Sequence, residues 1–74
     1  AILKIVRERR KEHANRLSLY KRIEDRSYRD PFSLPDNKKG IYLALSAGIR
    51  QEQTFIVWCD EALALLATVK TPAS

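Results

Sequence analysis

The side chains best suited to covalent chemistry are few. Cys59 and His13 are the sole cysteine and histidine, so a thiolate activated by an imidazole is the one nucleophilic pair available. Cys59 lies between Trp58 and Asp60, in a run of helix-forming and apolar residues where a thiol acts as a small core hydrophobe. No sequence spacing brings His13 toward it. One histidine and one cysteine are too few for an all-protein tetrahedral zinc site, and a single cysteine forms no internal disulfide. Asp60 and Glu61 are neighbours on a helical stretch and point about 100° apart, which is not the arrangement of an acid and base pair. Gly40 and Gly48 are the only glycines, so there is no phosphate-cradling loop. No catalytic residue, metal or cofactor is therefore expected.

Charge carries more information. The 74 residues have a net charge of +5. All of that excess lies in residues 1 to 30, because residues 31 to 74 hold equal numbers of each sign. Arg7, Arg9, Arg10, Lys11, Arg16 and Arg22 are the candidate phosphate-binding residues of this segment, suited to nucleic acid or to an acidic protein surface. The alternative is a solvated helix face in which Lys11 and Arg16 pair locally with Glu8 and Glu12.

These side chains must be held by helices. From Ile2 to about Glu24 apolar residues recur at helical spacing through Val6, Ala14, Leu17, Tyr20 and Ile23, without Gly or Pro. This predicts an amphipathic helix about 35 Å long. Arg10 interrupts its apolar side. Either its stem lies along the core edge, or its guanidinium meets an anion or a carboxylate in a groove between helices. Residues 25 to 40 collect Asp, Ser, Pro, Asn and Gly and read as the irregular connection. Within it Asp30 is extended before Pro31, while Ser33, Pro35 and Asp36 together suggest a helix start. Residues 41 to 47, Ile-Tyr-Leu-Ala-Leu-Ser-Ala, read as a short buried helix, with a buried strand as the alternative. Gly48 would then end it, and a second long helix would run from about Arg50 or Gln51 to Val69, stopped by Thr71 and Pro72. Its apolar side is wide, with Phe55, Ile56, Cys59, Ala62, Leu63, Leu66 and Val69 flanked by Val57, Trp58 and Leu65. A helix so apolar must be covered on more than one side, so Phe55, Trp58 and Leu65 are candidate interface residues for a second copy or another partner.

Two stretches resemble known families. Residues 43 to 58 are similar to the helix-turn-helix of bacterial repressors, with Ala44 in a first helix, Gly48 in the turn and a polar helix start after it. That resemblance implies that Arg50, Gln51, Gln53 and Thr54 read base edges in a major groove. Residues 8 to 31 resemble the first helix and following loop of the small all-helical chorismate mutases, on Arg10, Lys21, Arg29, Asp30 and Pro31. There Arg10 and Lys21 would bind the carboxylates and ether oxygen of chorismate.

The expected architecture is all-α, a single helical domain spanning residues 1 to 74. It is a compact three-helix unit with a long basic first helix, a short apolar middle helix and a long apolar last helix. The expected function is a small non-enzymatic interaction module, its basic helix on nucleic acid or another polyanion and its last helix in an oligomer or partner contact. The alternatives are the mutase-like enzyme and a structural subunit of a larger assembly. No apolar run reaches the roughly 18 residues of a membrane span. The single cysteine suits the cytoplasm or another reducing compartment. Ala1 with no methionine in the chain fits either removal of an initiator methionine or a processed fragment.

Overall fold

The computed structural model describes residues 1–68. Over these residues the chain forms two long helices joined by a short irregular connection: α1 spans Ile2–Ser27 and α2 spans Asp36–Ala67. Their contacts run in opposite chain directions. Arg10 meets Asp60, His13 meets Glu52, and Tyr28 lies beside Tyr42. The fold is therefore an antiparallel helical hairpin, 61 × 14 × 14 Å.

It is all-α, as the periodicities require, but it is not a compact three-helix unit. The radius of gyration is 17.1 Å, against about 11 Å for a compact domain of this length. The short middle helix and the last helix are one continuous element. Gly40 and Gly48 both lie inside α2, and neither has a positive φ. A helical glycine costs about 1 kcal/mol relative to alanine, too little to break a helix that tertiary packing favours. Gly48 instead permits a close approach: a Cβ there would stand 3.1 Å from Cε2 of the Tyr20 ring. Residues 41 to 47 are helical, as read, but not buried: Ile41 and Leu43 are exposed, because α1 covers only one side of α2. The end of α2 at Val69 and the stop at Thr71 and Pro72 lie outside the described residues.

The connection follows local backbone rules. Tyr28 leaves the helical region at φ −136°, ψ 42°, with its N–H still bonded to the Glu24 carbonyl. Asp30 is extended at φ −124°, ψ 90°, as the clash with the Pro31 ring demands. Pro31–Ser33 then make one 3-10 turn, closed by the Ser33 hydroxyl donating to the Asp30 carbonyl at 3.1 Å. Ser33 thus serves this turn rather than capping α2. Pro35, extended at φ −59°, ψ 153°, precedes α2, and Asp36 places its carboxylate in the positive first turn.

The seam between the helices is thin. Val6, Ile49 and Cys59 are its buried apolar residues, joined by one buried carboxylate, Glu52. Leu17, Tyr20, Leu45, Phe55, Ile56 and Leu63 are half-buried around them. Two cylinders touch along a line, so each buries one side only, and ten large apolar side chains remain exposed, from Ile2 to Leu65.

The two glycines should respond oppositely to alanine. Gly40 has open space around its missing Cβ, so Gly40→Ala should stabilise by about 0.5–1 kcal/mol. Gly48→Ala gains the same propensity but must push the Tyr20 ring aside, and should be neutral or destabilising. Thermal unfolding followed by circular dichroism at one protein concentration checks the order, with the two melting temperatures several degrees apart.

Candidate functional site

The polar centre of the seam is Glu52, with a relative exposure of 6%. It is carried by α2 on the same side as Ile49, Phe55 and Cys59, three to seven residues away and hence on adjacent turns. Across from it, α1 presents His13 and Arg16 on successive turns. Nδ1–H of His13 donates to Oε2 of Glu52, and Nη1 of Arg16 donates to Oε1 at 2.9 Å. Both carboxylate oxygens are thereby engaged. Burial pushes the Glu52 carboxyl up, but the hydrogen bonds from His13 and Arg16, with their charge, outweigh it and hold the group below its ordinary value of 4.5. The His13 ring also lies on Phe55, with centroids 4.1 Å apart, and Phe55 in turn lies 5.5 Å from Trp58.

A second pair sits at the edge of the seam. Arg10 meets Asp60 in a two-point contact, Nε to Oδ1 at 2.6 Å and Nη2 to Oδ2 at 3.3 Å. Of the two readings of Arg10, the carboxylate between helices is the one realised. The hydrogen bond from Arg10 holds the Asp60 carboxyl below its ordinary range, against a smaller opposing effect of burial. Cys59 is fully buried next to this pair, and desolvation pushes its thiol up, with Asp60 adding to the effect. A thiol so placed is a core residue with little thiolate character.

The six basic residues singled out in α1 divide by direction. Arg10 and Arg16 turn toward α2 and its carboxylates, whereas Arg7, Arg9, Lys11 and Arg22 are exposed and make no ion pair among the described residues. The local pairing of Arg16 and Lys11 with Glu8 and Glu12 does not form; Arg16 reaches across to Glu52 instead. Lys21 is exposed about three turns beyond Arg10, which is engaged by Asp60, so the two do not close on a shared ligand as a mutase site would need. Arg50 and Gln51 line an open hollow on α2 with Thr54, Phe55 and Trp58. They do not open a recognition helix, because the backbone passes through Gly48 without a turn. Phe55 is half-buried, and Trp58 and Leu65 are exposed. On the same side Ile2, Ile5, Val6 and Arg9 of α1 form a hollow with Phe55 and Trp58.

Glu52 was the residue hardest to see in the sequence, hidden between Gln51 and Gln53 as one of three polar neighbours. The available signal was its position three residues after Ile49 and three before Phe55, a carboxylate on an apolar side facing a first helix whose own apolar side is broken by Arg10 and His13.

An elongated helical hairpin with a charged seam and uncovered apolar flanks is the class of structure in hand. The chain belongs to the Virulence activator alpha C-term family, whose family model matches residues 1–67. It is also 40% identical over 52 residues, 70% of this chain, to a protein of Mycobacterium tuberculosis described as a probable transcriptional regulator. The chain spans 28% of the length of that relative. No solved structure matches it. Among the described residues no helix is long and apolar enough to cross a membrane.

A depressed carboxylate value makes the seam sensitive to acid. The Glu52 contribution is fully present above about pH 4.5, where the unfolded chain is also ionised, and is lost as the pH falls through the lower folded value. Asp60 acts in the same direction. Glu52→Gln should cost about 1–3 kcal/mol at pH 7 and reduce the loss of stability between pH 5 and pH 3. Urea unfolding at fixed protein concentration across that range measures both effects.

Proposed function

We propose that this hairpin is the assembly arm of a transcriptional regulator, holding two copies of the chain together through the apolar flank it shares between α1 and α2. The observation that carries this reading is the imbalance in burial, three apolar residues enclosed against ten large ones exposed among the described residues. Trp58, Leu65, Ile5 and Ile23 are each more than a third exposed, and an isolated hairpin gains nothing from leaving them in water. Family membership and the relative described as a probable transcriptional regulator support the regulatory context. The expected reducing compartment accords with it.

A second copy fits this flank better than an unrelated protein. On α1 the flank reads Ile5, Arg9, Glu12, Arg16, Leu19 and Ile23. Glu12 and Arg16 lie equally far on either side of Ala14, as do Ile5 and Ile23. A two-fold axis through the flank at the level of Ala14 therefore sets each Ile5 against the other copy's Ile23 and each Glu12 against the half-exposed guanidinium of the other copy's Arg16, whose Nη1 stays on Glu52. Such self-complementarity is what a two-fold interface requires, and the product is a four-helix bundle with apolar ends and a charged centre. Phe55, Trp58 and Leu65 of α2 extend the same flank.

Sedimentation at micromolar concentration should show a dimer. Trp58→Ala and Leu65→Asp should each weaken it at least tenfold. Ile5→Glu should also weaken it, and adding Ile23→Lys should restore association by pairing the new charges across the axis. A stable monomer overturns the reading, while a dimer insensitive to Ile5→Glu overturns the proposed axis.

A further inference from the structure

On the side of α1 turned away from both α2 and the apolar flank, Lys4, Arg7, Lys11, Asn15, Ser18 and Arg22 follow one another at spacings of three and four residues. At 100° per residue they fall within a sector of about 80°. All six are exposed, and none of the four cations has an ion-pair partner among the described residues. Glu8 borders the sector about 20° beyond Asn15 without an ion pair to Lys4 or Lys11, and Asp25 closes it. We infer that this line is a second functional surface, a rail that lies along the phosphate backbone of duplex DNA.

Three features favour phosphate. Every side chain in the line donates hydrogen bonds, including the uncharged Asn15 and Ser18, which is the repertoire used to hold phosphate oxygens. Lys4 to Arg22 spans about 27 Å of straight helix, long enough to meet several phosphates of a polymer carrying one charge per ~1.7 Å of axis. The sector also lies about a third of a turn from the α2 seam and about a third of a turn from the Ile5 and Ile23 flank. It therefore stays exposed when both are covered, and an assembly of two copies carries two rails. Arg10 is held by Asp60 at the seam, Arg16 is held by Glu52 on the border of seam and flank, and Arg9 belongs to the flank. The inference rests on the regulator reading for the choice of DNA as the polyanion, but not on the dimer.

Binding of the 74-residue chain to a short duplex of arbitrary sequence, measured between 50 and 200 mM salt, tests the rail. Four phosphate contacts give a slope of log affinity on log salt of about −3.6, or on the order of a 150-fold loss over that range. Arg7→Gln and Lys11→Gln should each make the slope shallower by about 0.9, and the fourfold variant at Lys4, Arg7, Lys11 and Arg22 should bring it below about one. A control that removes the same charge at Arg26, Arg29, Lys38 and Lys39 should keep most of the slope. Circular dichroism and sedimentation of the same samples separate loss of the rail from loss of helix or of assembly. An assembled, helical protein that does not bind DNA at 50 mM salt overturns the rail and leaves the assembly reading intact. Equal losses in the rail and control variants also overturn it, because net charge alone would then govern binding. Binding to polyglutamate as tight as to DNA overturns the choice of phosphate and identifies an acidic protein surface as the partner.

Discussion

One buried carboxylate sets the register of this hairpin. Two apolar helix sides can slide past each other by a turn at modest cost, because leucine, isoleucine and valine pack interchangeably at the level of hydrophobic area. Glu52 removes that freedom. Shifted by one turn, it would lose His13 or Arg16 and stand as an unpaired charge in an apolar seam, a penalty of several kcal/mol. With both α1 partners in place its two oxygens are engaged and its charge is compensated. Arg10 with Asp60, two turns further on, repeats the constraint at the seam's edge.

From that register the remaining geometry follows. It brings Tyr20 against Gly48, where the absence of a side chain permits the approach, and it lays His13 on Phe55 and so holds the aromatic pair of Phe55 and Trp58 at the border of the flank. It also divides the circumference of α1 into three sectors of different character. One faces α2, one is apolar with a charged centre, and one is basic. A helix with three working sides is poorly stabilised as half of an isolated pair, and its exposed apolar residues are what a second layer of helices would cover.

The functional surfaces of such a hairpin are read from what the seam leaves over. No pocket gathers convergent acid, base and nucleophile among the described residues. The cysteine is buried with a raised thiol, the histidine is bound to a carboxylate, and the pair of arginines nearest them is held in ion pairs. Among the described residues of α1, those left exposed include an apolar line on one side and a cationic line on another. This division is the basis on which we propose an assembly arm with a phosphate-facing rail.

Much of this was legible in the sequence. The helical period of residues 2 to 24, the extended Asp30 before Pro31, an irregular connection (28 to 35, shorter than the 25 to 40 expected, because both helices run on into it) and the breadth of the apolar side of α2 follow from local rules. The breadth also indicated that two helices could not cover it. Other features depended on what each residue would meet. Gly48 is compatible with a turn or a helix interior at a difference of about 1 kcal/mol, and only the Tyr20 ring packed against it decides for the helix, merging two expected helices into one. Arg10 could have lain along the core edge, and only Asp60, fifty residues away, gives it a partner. Glu52 looks solvated beside Gln51 and Gln53 until α1 arrives with His13 and Arg16. In each case the local preference was nearly balanced, and the tertiary contact supplied the larger energy.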